Sequence, residues 1–99
     1  MRGMKEKEIE RRMCELVKKH GGLTYKFQSP NNPGVPDRIV IAPGGVVWFV
    51  ELKAEFGRMA NIQQWQKEQL EKQGANVKML RGWEAVKEFI AEVFDNGEN

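Results

Sequence analysis

The stretch from Gly34 to Lys53, GVPDRIVIAPGGVVWFVELK, constrains the fold more than any other part of the chain. Two runs of β-type residues, Arg38-Ile39-Val40-Ile41-Ala42 and Val46-Val47-Trp48-Phe49-Val50, flank Pro43-Gly44-Gly45. β-Branched and aromatic runs on either side of a short Gly-containing loop specify a β-hairpin. Folding at that loop sets Asp37 roughly opposite Glu51, because both lie equally far from the turn. Side chains alternate along a strand, so Glu51 and Lys53 share a face and Leu52 takes the other.

Asp37 and Glu51 would then converge as two hard oxygen donors with an ammonium beside them. Two carboxylates pressed together near a core repel, and one takes up a proton unless a cation sits between them. Oxygen-only ligation suits magnesium or manganese. Lys53 would lie beside a coordinated water, orienting it or helping to remove its proton. The residues alone also allow a plainer outcome, an edge hairpin whose charges face solvent.

The rest of the chain builds a sheet and helices around that hairpin. Ile9, Met13, Leu16, Val17 and His20 recur at helical spacing over residues 4–20, and Gly21-Gly22 ends the helix. Glu10 borders this apolar stripe, with Glu6 one turn earlier on the same side. A carboxylate at a core edge needs a partner. Residues 23–28 form a strand with Leu23, Tyr25 and Phe27 on one face. Ser29-Pro30-Asn31-Asn32-Pro33-Gly34 reads as a stiff loop. Residues 54–60 make a connection, and residues 61–73 a glutamine-rich helix with Asn61 as its N-cap and Gly74 at its end. A strand over 76–80 and a helix from Trp83 to about Phe94 follow, the latter packing Val86, Phe89, Ile90 and Val93 on the sheet. The order α-β-β-β-α-β-α gives an α/β domain over residues 1–94, a mixed sheet flanked by helices. Residues 95–99 form an acidic tail.

Cys14 is the sole cysteine, which excludes an intrachain disulfide and fits a reducing, cytoplasmic setting. No second His or Cys stands at ligand spacing from His20 or Cys14, so His20 is a helix-end residue and Cys14 a packing residue. No apolar run is long enough to span a bilayer, and MRGMKEKEIE lacks the apolar segment of a signal peptide. The formal net charge is +2. Three acids, Glu92, Asp95 and Glu98, lie in the last eight residues without a base, so the first 91 residues hold 16 bases against 11 acids. That excess permits nucleic-acid binding.

Pro36-Asp37 followed by Glu51-x-Lys53 resembles the signature of the PD-(D/E)-x-K nuclease superfamily. The wider wording, Gly34-Val35-Pro36-Asp37-Arg38 and Phe49-Val50-Glu51-Leu52-Lys53, resembles the VRR-NUC (virus-type replication-repair nuclease) family in its stand-alone form, over nearly the whole chain. The resemblance implies a restriction-endonuclease-like core and a bacterial or phage-encoded DNA endonuclease using Mg2+ or Mn2+. It implies metal ligation by Glu10, Asp37, Glu51 and the backbone carbonyl of Leu52, with Lys53 acting in catalysis. Related junction resolvases carry a helix-1 Glu followed by a basic and an apolar residue. Glu10-Arg11-Arg12-Met13, leading to Gly21, is similar to that pattern, more so than Glu6.

The same resemblance makes Gln63 the residue that hydrogen-bonds a ligand, a catalytic water or a phosphate, with Gln66 as the alternative. It places Lys26 and Ser29 at phosphate contacts, and Arg38 and Arg58 complete the expected DNA-binding set. Branched DNA, above all the four-way Holliday junction, is the expected substrate, cut to 5′-phosphate ends in replication or repair by a homodimer. Trp48, Phe56 and Trp65 are candidates for the dimer surface, with the core as the alternative for each. A flap or end-processing nuclease and a non-catalytic DNA-binding module are the alternatives.

Overall fold

The computed structural model describes residues 3–95. Its elements run α1 (Glu6–Lys19), β1 (Leu23–Lys26), β2 (Arg38–Ala42), β3 (Val46–Lys53), α2 (Asn61–Lys72), β4 (Asn76–Arg81) and α3 (Gly82–Ile90), with a π-helical turn over Ala91–Asp95. The four strands form one sheet in the order β1-β2-β3-β4. The first three are antiparallel and β4 joins β3 in parallel. This is the mixed α/β sheet that the sequence predicts. Residues 96–99, most of the expected acidic tail, lie outside the described residues.

The hairpin turns where Pro43-Gly44-Gly45 requires it. Gly44 and Gly45 hold φ of 94° and 87°, a region that costs a side chain strain, and Gly45 N–H closes the turn on Ala42 O at 2.9 Å. The register pairs Ala42 with Val46 and ends with Arg38 opposite Val50. One further step sets Asp37 across from Glu51.

Strand parity decides what each face does. Val40, Ala42, Val50 and Leu52 point to one side and join Ile9, Met13 and Val17 of α1 and Val86, Phe89 and Ile90 of α3 in a single core. Burying each of these side chains other than Ala42 contributes roughly 1.5–3 kcal/mol, so this layer anchors the sheet. The opposite face carries Ile39, Ile41, Val47 and Phe49 in less complete cover, and Leu23 and Tyr25 on β1 are about half exposed.

Lys26 of β1 pairs with Arg38 and turns toward α1, because α1 presents a carboxylate there. Two expectations are corrected. Trp48 is not an exposed dimer residue. It shares parity with Val50 and Leu52, stacks edge-on against Phe89 with ring centroids 5.5 Å apart, and has Lys78 Nζ 5.7 Å from its ring centroid. Asn61 is not the N-cap of α2; Ala60 is, and no side chain there can accept the first amides. Gln63 compensates by reaching back, its Oε1 accepting Ala60 N–H at 2.8 Å. Among the described residues no helix is long and apolar enough to cross a membrane.

Candidate active site

The loop before β2 is fixed before Asp37 is reached. Asn32 donates its side-chain amide to Ser29 Oγ at 2.9 Å and to Pro30 O at 3.2 Å. Gly34, at φ 90°, passes so near α2 that a Cβ there would stand 2.8 Å from both Ile62 Cγ1 and Ile62 O. Gln66 Nε2 ties the same turn down through Pro33 O at 3.0 Å. The buried Pro36 and the bond from Phe27 N–H to Asp37 O, 2.9 Å, then set Asp37 beside the end of β3.

Glu51 projects from β3 on the side opposite Val50 and Leu52 and is only 5% exposed. Its Oε2 accepts from Gln63 Nε2 at 3.0 Å and lies 3.7 Å from Lys53 Nζ. Burial first, and then the negative charge of Asp37, push its carboxyl up to about 7, against the pull of Lys53; Glu6 adds to the rise. Burial also raises the Asp37 carboxyl above its ordinary value, with the charge of Glu10 second and Lys26 opposing. Asp37 Oδ1 is buried with no hydrogen-bond partner. A buried acceptor in that condition typically costs about 1–3 kcal/mol.

Glu10 behaves differently. Its Oε2 accepts from Arg38 Nε at 2.8 Å and from Lys26 Nζ at 3.1 Å. Burial works to raise this carboxyl, but the bonds from Arg38 and Lys26 outweigh it and hold it below the ordinary value. Arg38 Nη1 also stands 3.5 Å from Thr24 Oγ1. The structure therefore brings Asp37, Glu51, Lys53 and Gln63 together and keeps Glu10 beside them, occupied by two cations. Among the described residues no three His, Cys, Asp or Glu side chains stand close enough to hold one metal ion.

The donor set nonetheless fits a hard divalent cation. Two crowded carboxylates, both protonated more readily than usual, and one orphaned buried oxygen are what a bound cation would relieve. Leu52 is buried in the core through its side chain, so only its backbone is left to take part. Among the expected DNA contacts, Lys26 and Arg38 meet at Glu10, and Ser29 braces the loop. Arg58 is exposed in the β3–α2 connection, with no ion pair among the described residues. Two cavities of about 470 Å3 each lie elsewhere, one at Met4, Glu55 and Trp83 and one between Arg12, Lys19 and Trp83; Asp37, Glu51 and Lys53 line neither.

Gln63 bonds Glu51, one of the expected ligands, as the resemblance implies. Sequence reasoning missed the second amide tie of α2, from Gln66 to a loop carbonyl, because nothing in the spacing of two glutamines one turn apart points to it. The partnership of Lys26 and Thr24 with Arg38 was accessible, since antiparallel pairing puts those positions on a common face.

No protein-family model matches the chain. A solved structure described as a VRR_NUC domain superposes with a TM-score of 0.80 at 34% sequence identity, covering 86% of this chain and 92% of that one. The chain belongs to the VRR-NUC family. A second solved structure, described as a VRR_NUC domain protein, shares the fold at TM-score 0.77 and 18% identity, covering 97% of this VRR-NUC chain and 93% of its own. A protein of Acyrthosiphon pisum secondary endosymbiont phage 1, bearing the name "Putative nuclease p44", is 50% identical over 54 residues. That match takes in 54% of this VRR-NUC chain and 58% of the phage protein, so the chain aligns with little more than half of that relative.

Proposed function

We propose that this VRR-NUC domain is a divalent-metal-dependent DNA endonuclease that selects branched DNA, with the four-way junction as its substrate. The observation that carries the nuclease reading is the meeting of Asp37, Glu51 and Lys53 at the open end of one hairpin, with Asp37 Oδ1 buried and unpartnered. Asp37 and Glu51 would hold Mg2+ or Mn2+, joined by the Leu52 carbonyl and by Glu10 once its carboxylate leaves Arg38 and Lys26. When bound, the cation supplies Lewis-acid activation of the attacking water and offsets charge on the phosphodiester.

The protein's own groups do the rest. Gln63 fixes the Glu51 rotamer through the 3.0 Å bond, leaving its other oxygen free to bind. Lys53 orients the water or accepts its proton, and its ammonium form opposes negative charge growing on the phosphate. Arg58, Ser29, Lys26 and Arg38 supply phosphate contacts, which position a duplex without reading its sequence. Hydrolysis leaves 5′-phosphate ends. The names borne by the similar proteins, a VRR_NUC domain and a phage nuclease, support this chemistry. A second copy, docking through Trp65 on α2 and the half-exposed Leu23 and Tyr25, would let two sites meet opposed strands of a junction.

The test is cleavage of end-labelled four-way junction, flap and linear duplex in Mg2+ or Mn2+, with and without chelator. Symmetric, metal-dependent nicking of the junction is expected. Cutting confined to flaps would move the substrate to end processing, and binding without cutting in either metal would refute the enzyme.

A further inference from the structure

Three residues beyond Lys53 the chain makes a tight turn whose tip is aromatic. Gly57 N–H donates to Ala54 O at 2.9 Å, closing the turn, and Arg81 Nε donates to Gly57 O at 2.8 Å, bracing it from β4. The turn lies directly on the catalytic strand: a Cβ at Gly57 would stand 3.3 Å from Lys53 Cβ. Phe56, within this turn, is 89% exposed, far more than any other large apolar residue described.

A phenyl ring held in water on a braced turn forgoes the burial that would ordinarily keep it in place. Its surroundings restrict what can cover it. Lys53 is turned to Glu51, but Arg58, two residues beyond the ring, is exposed with no ion pair among the described residues, so the apolar tip sits beside an unpaired positive charge. A ligand that is anionic along its length and offers flat aromatic faces meets both demands, and DNA with an unstacked base does so. Intact duplex hides those faces, whereas a branch point exposes them.

We propose that Phe56 is a specificity-determining residue: its ring stacks on a nucleobase opened at the branch of the substrate, while Arg58 engages the neighbouring phosphate. This rests on the nuclease function proposed above and adds the feature by which the site tells branched from linear DNA. Ring–base stacking is sequence-tolerant, as a structure-selective enzyme requires. Its removal should lower the preference for branched over linear DNA about 5- to 100-fold.

The experiment places 2-aminopurine at the branch of a four-way junction and follows its fluorescence and the binding constant in chelator, for wild type, Phe56→Ala and Phe56→Trp. The expected result is a stacking-induced fluorescence change with wild type and Phe56→Trp that Phe56→Ala lacks, together with a fallen junction-to-duplex affinity ratio for Phe56→Ala alone. An unchanged signal and ratio in Phe56→Ala overturn the proposal. So does a shift from dimer to monomer in that variant by sedimentation, which would put the ring between protein copies. Cleavage of the same junction by wild type in Mg2+ separates the two levels. Cutting that persists while the Phe56 variants behave alike refutes only the stacking role, whereas no cutting refutes the nuclease itself.

Discussion

Replacing Glu51 by Gln should make the metal-free protein more stable while ending its activity. The folded state holds a proton on Glu51 up to about pH 7, whereas the unfolded chain releases it near the ordinary value of 4.5. Between those limits the folded state binds more protons, so stability must fall as pH rises, by about 1.4 kcal/mol for each pH step. The loss is complete above pH 7 and amounts to about 3 kcal/mol, because the group is 5% exposed and little screened. Gln cannot ionise and can still accept from Gln63 Nε2, so Glu51→Gln should escape that loss. In chelator at pH 8 the variant should exceed wild type by about 3 kcal/mol in urea unfolding, or by more than about 10 °C in melting temperature for a domain this size. The gap should close towards pH 4.5, where both side chains are neutral. Divalent cation should then raise the wild-type melting temperature at pH 8 and leave the variant unmoved. Parallel stability curves for the two proteins from pH 4.5 to 8, or a wild type that gains stability from pH 5 to 7, would refute the crowding of Asp37 and Glu51.

Four further outcomes are expected. Asp37→Ala and Lys53→Ala should each remove turnover while keeping the circular-dichroism spectrum and junction affinity; near-normal turnover in either removes that residue from its role. Glu10→Ala should cost far more activity than Glu6→Ala, and equal losses would leave helix α1 without an assigned ligand. Gln63→Ala breaks both its bond to Glu51 and its bond to Ala60 N–H, so it should lower stability by about 1 kcal/mol and turnover about 10- to 100-fold, read by urea unfolding and initial rates. Gly34→Ala meets Ile62 at 2.8 Å in a left-handed backbone, and should cost about 1–3 kcal/mol in chemical denaturation while displacing Asp37.

Much of this architecture is legible because the decisive information is local. Gly44 and Gly45 must turn, the flanking residues must pair, and parity then assigns Glu51 and Lys53 to one side without reference to anything distant. Trp48 was legible by the same parity, had it been applied against Val50 rather than against general exposure habits. What the sequence leaves open lives in contacts between separated segments. Strand β1 looks polar on the face that meets α1 because Glu10 balances Lys26 across 16 positions, a pairing no local pattern reveals. The choice between Gln63 and Gln66 likewise depends on where α2 is laid down.

Helix α2 has no buried residue, and its ties to the rest of the molecule include two glutamine amides and the close pass of Gly34. Its detachment would sacrifice little hydrocarbon, yet it would strip Glu51 of its amide donor and readmit solvent to the acids, so the site's chemistry depends on a segment held mainly by polar bonds.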